Sequence, residues 1–190
     1  MLARWLRILT LMELIGAGAL AWLLADRGAG VPASLAIGLA APFLVHGAII
    51  ALDFGLAAWA GSPTPPPLRL GLGGALAVFL REWRDSVTAF QFTQPWLAPR
   101  HLAGEDSTGG ANRMPVLLIH GFFCNRQLWR PLARRLAARG HPLGAVDLEP
   151  VLGSIDDYVP AIERAVTELL VRTGAPAVAL IGHSMGGLAA

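Results

Sequence analysis

Two apolar runs near the N-terminus constrain this chain more than any other feature. Residues 8–25 carry one charge, Glu13, and residues 31–52 carry none. At about 1.5 Å per residue, the first run spans roughly 27 Å as a helix, close to the hydrocarbon thickness of a bilayer. Asp26-Arg27-Gly28-Ala29-Gly30 separates the runs, so the pair reads as a helical hairpin through a membrane. The soluble alternative is a pair of buried core helices, and a core this small has little use for two uninterrupted runs of such length. A secretory signal competes for the first run: Arg4 and Arg7 precede it, and Ala19-Leu20-Ala21 resembles a cleavage site. Glu13 within the run opposes that reading, and the second run would still remain as an anchor. Composition agrees with a membrane segment, because 54% of residues are hydrophobic and only 15% are charged, against about 25% charged in soluble domains.

Orientation follows from the basic residues, all 15 of which are Arg. Arg4 and Arg7 precede the first run, the connection holds one Arg and one Asp, and Arg69, Arg81 and Arg84 follow the second. The positive-inside rule then gives in-out-in, with everything after residue 61 in the cytoplasm. Glu13, His46 and Asp53 lie in or beside the runs and are functional candidates by default. The plainer reading puts Glu13 and Asp53 near helix ends or paired across the hairpin, since no proton-relay spacing is visible. The net charge of +2 comes without an Arg-rich stripe interleaved with aromatics, so nucleic acid is not an expected partner. The single cysteine, Cys124, excludes an intrachain disulfide framework and a multi-Cys zinc site. Neither a metal nor a cofactor is expected. Cys124 itself reads as a small buried or loop thiol rather than a redox centre.

Residues 1–60 thus form a membrane hairpin, and residues 61–113 a linker. Gly61-Ser62-Pro63-Thr64-Pro65-Pro66-Pro67 cannot continue a helix and favours an extended spacer. Gly71-Leu72-Gly73-Gly74 is no dinucleotide fingerprint, because position 76 is Leu and no strand precedes it. Over residues 75–92, Leu76, Phe79, Leu80, Trp83, Val87 and Phe90 recur at helical intervals, with Arg81, Glu82, Arg84 and Asp85 largely opposite. Two placements fit this amphipathic helix. It lies on the membrane surface with Trp83 at the interface, or it packs on the following domain.

Residues 114–190 alternate short apolar runs with helical stripes. Residues 115–120 read as a strand. Residues 127–139 read as a helix through Leu128, Leu132 and Leu136, stopped by Gly140. Residues 142–148 form a second apolar run. Residues 154–172 form a second helix buried through Tyr158, Ile162, Ala165, Val166, Leu169 and Leu170, with Ser154 as its cap and Gly174 as its stop. Residues 177–181 make a third apolar run. Strand and helix in alternation imply a parallel sheet with right-handed crossovers, helices covering both faces.

Gly182-His183-Ser184-Met185-Gly186 follows the third strand and fits the G-x-S-x-G elbow. Such a turn thrusts a hydroxyl out at the carboxyl end of the sheet. Side chains at the flanking positions would collide across it, hence Gly182 and Gly186. The helix that follows points its N-terminus at the site. His120-Gly121-Phe122-Phe123 follows the first strand, where this architecture takes a second backbone N–H for an oxyanion. Gly121 allows close approach, and the Phe122 and Met185 N–H groups are the expected donors. Taken alone, His120-Gly121 is an ordinary strand-ending turn; in this order, with the elbow behind it, it is more. Phe122, Phe123 and Trp129 are candidates for an acyl pocket, with helix-on-sheet packing an equal alternative for Trp129.

On these two stretches, residues 114–190 resemble the opening half of an α/β-hydrolase domain of the lipase and esterase type. Asp147-Leu148-Glu149-Pro150 and Gly153-Ser154-Ile155-Asp156-Asp157-Tyr158 add to the likeness. The resemblance implies Ser184 as nucleophile, Phe122 and Met185 as oxyanion donors, and carboxylic esters as substrates; a membrane anchor would place the site where lipophilic esters collect. It also implies an acid and then a His after the nucleophile, and the sequence ends six residues beyond Ser184. His183 is adjacent to the nucleophile, His120 belongs to the oxyanion turn, and Asp147 reads as structural. The expectation is therefore a truncated sequence, inactive by itself, whose complete gene product is a multi-pass membrane-anchored serine hydrolase with a cytoplasmic catalytic domain. The alternatives are a non-catalytic membrane interaction module with a degenerate hydrolase fold, or an acyltransferase on the same fold.

Overall fold

The computed structural model describes residues 1–98, 100–108 and 113–190. The chain divides into two compact units: Ile8–Gln91, and Met1–Arg7 together with Phe92–Ala190.

The first unit is helical. Helix α1 (Leu2–Asp26) enters it at Ile8, and α2 (Val31–Ala60) returns. Both are long and apolar enough to cross a bilayer, and only 11% and 17% of their most apolar windows are buried within the protein. The helices touch where side chains are small: a Cβ on Gly38 would lie 2.5 Å from the Ala17 carbonyl oxygen and 2.9 Å from Ala21 Cβ.

The amphipathic segment lies almost wholly in the first unit. It forms α3 (Leu72–Val87), followed by a wide π turn (Thr88–Thr93), and packs antiparallel along α2. Phe79 meets Phe54 edge-on at 5.9 Å and stacks on Trp83 at 6.2 Å. Trp83 fits over Gly47, and its indole N–H donates to the Phe43 carbonyl at 3.0 Å. Leu76 and Leu80, counted in the same stripe, stay exposed. Two ionisable groups of the hairpin, His46 and Glu13, have partners after α2. His46 Nε2 lies 2.9 Å from Ser86 Oγ, and Gln91 donates to Glu13 at 3.3 Å.

The second unit is a three-stranded parallel sheet, ordered β2-β1-β3, with helices on both faces. The strands are β1 (Val116–Ile119), β2 (Leu143–Val146) and β3 (Ala179–Gly182). Strand β1 is buried on both faces because alternate residues go to different cores. Leu117 and Ile119 join Val146, Tyr158, Ile162 and Leu169 under α6 (Ile155–Thr173). Val116 and Leu118 join Leu102, Leu143 and Ala133 of α5 (Arg130–Ala137). The helix expected over 127–139 is shorter and begins with a tight turn, Arg126–Trp129. Pro131 explains the change, since a proline suits the first turn of an α-helix and supplies no N–H to an earlier one. Helix α6 starts where expected: Asp157 accepts from the Ser154 N–H at 2.8 Å, and Gly174 ends it in the left-handed region at φ 66°.

A short helix, α4 (Gln94–Leu97), precedes the sheet. It is held by the start of α1, which this unit includes. Arg7 Nε donates to the Pro95 carbonyl at 2.7 Å, and the guanidinium lies 5.6 Å from the Trp96 ring centroid. Leu2 and Leu6 are buried, and the Met1 amine pairs with Glu149.

Candidate active site

Strand β3 ends at Gly182 and α7 (Met185–Ala189) begins three residues later, so His183 and Ser184 alone make the turn. The His183 carbonyl accepts from Gly186 N–H at 2.9 Å and the Ser184 carbonyl from Gly187 N–H at 2.8 Å. Ser184 has φ 52° and ψ −124°, a conformation non-glycine residues rarely hold and one worth about 1–3 kcal/mol of strain. Its side chain is exposed, and its hydroxyl has no protein partner among the described residues. The two glycines serve different contacts. A Cβ on Gly182 would lie 2.6 Å from Gly187, a collision across the turn. A Cβ on Gly186 would lie 2.4 Å from the carbonyl oxygens of both Ile119 and His120, so its constraint comes from the neighbouring strand.

The loop after β1 comes directly against this turn. A Cβ on Gly121 would sit 3.1 Å from Ser184 Cβ and 2.8 Å from the His183 carbonyl oxygen. The Gly121 carbonyl closes a turn by accepting from Cys124 N–H at 3.3 Å, and Phe123 within that turn has φ 54°. In a trans peptide the C=O and N–H point opposite ways. With the Gly121 carbonyl engaged on one side, the Phe122 N–H is turned to the other. Among the described residues no protein group accepts the N–H of Phe122 or of Met185. A hydroxyl of this kind can attack a carbonyl, and amide protons without an acceptor are the groups able to hold its oxygen as it becomes anionic.

His120 sets the loop's direction. It is buried, its Nε2 accepts from the Leu148 N–H at 2.9 Å, and its Nδ1 lies 2.9 Å from the Gly121 carbonyl. Nε2 faces a donor, so the ring proton is on Nδ1 and is given to Gly121. Burial pushes the His120 pKa below its ordinary value, which holds the ring neutral. Asp147 Oδ1 is 3.8 Å from Nε2, beyond hydrogen-bond range, and a neutral ring makes no ion pair with it. Asp147 instead accepts from Arg126 N at 2.8 Å and Nε at 2.6 Å, while Arg126 Nη1 reaches the buried Glu105 at 3.1 Å.

Beyond the turn the loop is fixed by amides. Gln94 Oε1 accepts from Asn125 N–H at 2.8 Å, Asn125 Nδ2 donates to the Gln94 carbonyl at 3.0 Å, and Asn125 Oδ1 accepts from Gln127 N–H at 3.0 Å. Gln94 and Asn125 belong to no motif of the sequence. An Asn ahead of a helical start is a capping signal and marks Asn125, while nothing local marks Gln94. Trp129 packs on the core side of α5 and meets the His183 ring edge-on at 6.4 Å. Cys124 is buried, which pushes its thiol up to about 11. The described residues hold no cluster of His, Cys, Asp and Glu able to bind a metal.

Residues 116–190, 75 of 190, match the family model described as the alpha/beta hydrolase family. The match begins at the first residue of β1 and includes both the loop after it and the elbow. No curated protein and no solved structure matches the chain. The α/β fold expected for this segment is the one observed, a parallel sheet with flanking helices that follows two long apolar helices.

Proposed function

We propose that this chain carries the nucleophile and oxyanion donors of a membrane-anchored serine hydrolase that cleaves lipophilic carboxylic esters. Ser184 Oγ attacks the ester carbonyl. The N–H groups of Phe122 and Met185 hold the oxygen as it becomes anionic, each worth about 10²–10³ in rate. Collapse of that intermediate expels the alcohol and leaves an acyl group on Ser184, which water then removes. The base that takes the Ser184 proton, and the acid behind it, are expected after the elbow in chain order in this reading. The observation that carries the proposal is the approach of Gly121 to Ser184: it sets the strained hydroxyl-bearing turn beside a peptide whose N–H is turned away from its own loop.

In the same reading α1 and α2 cross the bilayer, keeping residues 1–7 and the catalytic unit on one side, the cytoplasmic one. Two crossings require that sharing, and the packing of Met1–Arg7 with Phe92–Ala190 in one unit agrees with it. A fluorophosphonate probe on the complete gene product tests the chemistry. Labelling that disappears in Ser184→Ala is expected, and a well-folded protein that takes no label would favour a non-catalytic interaction module. Transfer of the acyl group to an added alcohol in preference to water would identify an acyltransferase on the same serine.

A further inference from the structure

We propose that Gln94 is a positioning residue for the loop that presents the Phe122 amide, and that Arg7 holds Gln94's segment in place for it. The inference rests on the reading of Ser184 as nucleophile, and both residues lie outside the segment that matches the hydrolase family.

Gln94 is fully buried, and the atom it turns to Asn125 must be oxygen, because the partner is an N–H. Its own Nε2 has no partner, which is costly for a buried donor. A residue needed only to fill space there would be apolar and escape that cost. What the amide accomplishes is the bond to Asn125, which the Asn125 side chain returns at the Gln94 carbonyl.

Asn125 directly follows the turn Gly121–Cys124. The loop is therefore gripped at both ends, by His120 on the Gly121 carbonyl and by Gln94 on the Asn125 N–H. Between the grips lies Phe123, at a positive φ that a non-glycine residue holds only where its surroundings over-determine it. Without the second grip, that turn relaxes and the Phe122 N–H swings with it. Behind Gln94, Arg7 donates to the Pro95 carbonyl and reaches the Ala98 carbonyl at 3.5 Å, with its guanidinium over Trp96. The first turns of α1 are thereby connected, through residues 94–98, to the peptide beside the nucleophile.

Two variants separate positioning from packing. Gln94→Met keeps the length and removes the acceptor, and Gln94→Glu keeps the acceptor. The rate of fluorophosphonate labelling at Ser184 in the full-length protein at pH 6 is the readout. Gln94→Met is expected to label about 10–100-fold more slowly, somewhat less than loss of a whole oxyanion donor, with its urea midpoint near the parent's. Gln94→Glu is expected within about threefold of the parent on the same scale. A packing role gives the reverse order, and that order, or equal rates in all three proteins, overturns the proposal. If Gln94→Met does not fold, Arg7→Met is expected to slow labelling about three- to tenfold, and parent-rate labelling there overturns it. A parent that takes no label strikes the Ser184 reading instead. Amide exchange over residues 121–125 then tests the clamp alone: faster exchange in Gln94→Met than in Gln94→Glu supports it, and unchanged exchange overturns it.

Discussion

Adding one methyl group at Gly186 tests whether the neighbouring strand, rather than the turn itself, demands glycine there. The new Cβ would lie 2.4 Å from the carbonyl oxygens of Ile119 and His120. Close carbon–oxygen contacts in proteins settle near 3.3 Å, so the turn and the end of β1 must separate by about 0.9 Å. Both obstacles are main chain, and neither can rotate away. The Ile119 oxygen also accepts from His183 N–H at 3.0 Å. The same displacement stretches that bond to about 3.9 Å, past any useful hydrogen bond. Losing it is worth about 0.5–1.5 kcal/mol, and overpacking adds about 1–3 kcal/mol. Gly186→Ala should therefore lose about 1.5–4.5 kcal/mol by urea unfolding of the detergent-solubilised protein. A shift near 1 Å at the reacting groups should also slow fluorophosphonate labelling about a hundredfold. Gly73→Ala is the control, since nothing lies within 4 Å of its added Cβ, and it should stay within about 0.5 kcal/mol of the parent. Gly186→Ala matching that control in stability would refute the steric reasoning, whatever the labelling shows.

Three further outcomes follow from the second unit. His120 has its pKa lowered by burial, so the unfolded chain takes up a proton there that the folded protein refuses. Its contribution to stability should be complete above pH ~6.5 and fall by up to about 1.4 kcal/mol per pH unit below it, until the folded pKa is reached; urea midpoints from pH 7.5 to 5.5 that lose no such slope in His120→Gln would contradict this. Cys124, with its thiol pushed up to about 11, should be alkylated by iodoacetamide at pH 8 about two orders of magnitude more slowly in the folded protein than in urea; mass spectrometry of timed samples gives both rates. Gly174→Ala should cost about 1 kcal/mol, because φ is 66° and nothing lies within 4 Å, leaving conformation as the sole penalty; Gly174→Asn should cost less, and equal urea midpoints for Ala and Asn would tell against it.

The strands of the second unit were legible because each is a short apolar run bounded by Pro, Gly or Asp, and β1 shows it most plainly with every residue buried. The partner of α3 was not legible. A helical stripe says that a face is covered without saying by what, and α2 is apolar all round, offering no face of its own to match. The fit is decided by one small residue, Gly47, which makes room for the Trp83 ring. Gln94 and Asn125 were invisible for a related reason. They are polar, far apart in sequence and outside any periodic pattern, so their pairing exists only once the chain is folded. His120 is legible as the residue that ends its strand, but its service as a neutral clamp depends on the Leu148 amide, brought to it only by folding.

The geometry at Ser184 is best understood as a consequence of strand register. Strand β1 pairs with β3 so that Ile119 stands opposite Gly182. Two steps further along each strand come Gly121 and Ser184, and they are the pair found in contact. Slipping the pairing by one residue would move the loop about 3.3 Å along the elbow and exchange the two faces of β1. That slip would expel Leu117 and Ile119 from the core under α6, and Val116 and Leu118 from the core beside α5. The side chains that make β1 a buried strand therefore also place residue 121 against residue 184. The site inherits its precision from the core, and substitutions that loosen β1 without touching the loop should slow labelling of Ser184 as they destabilise the sheet.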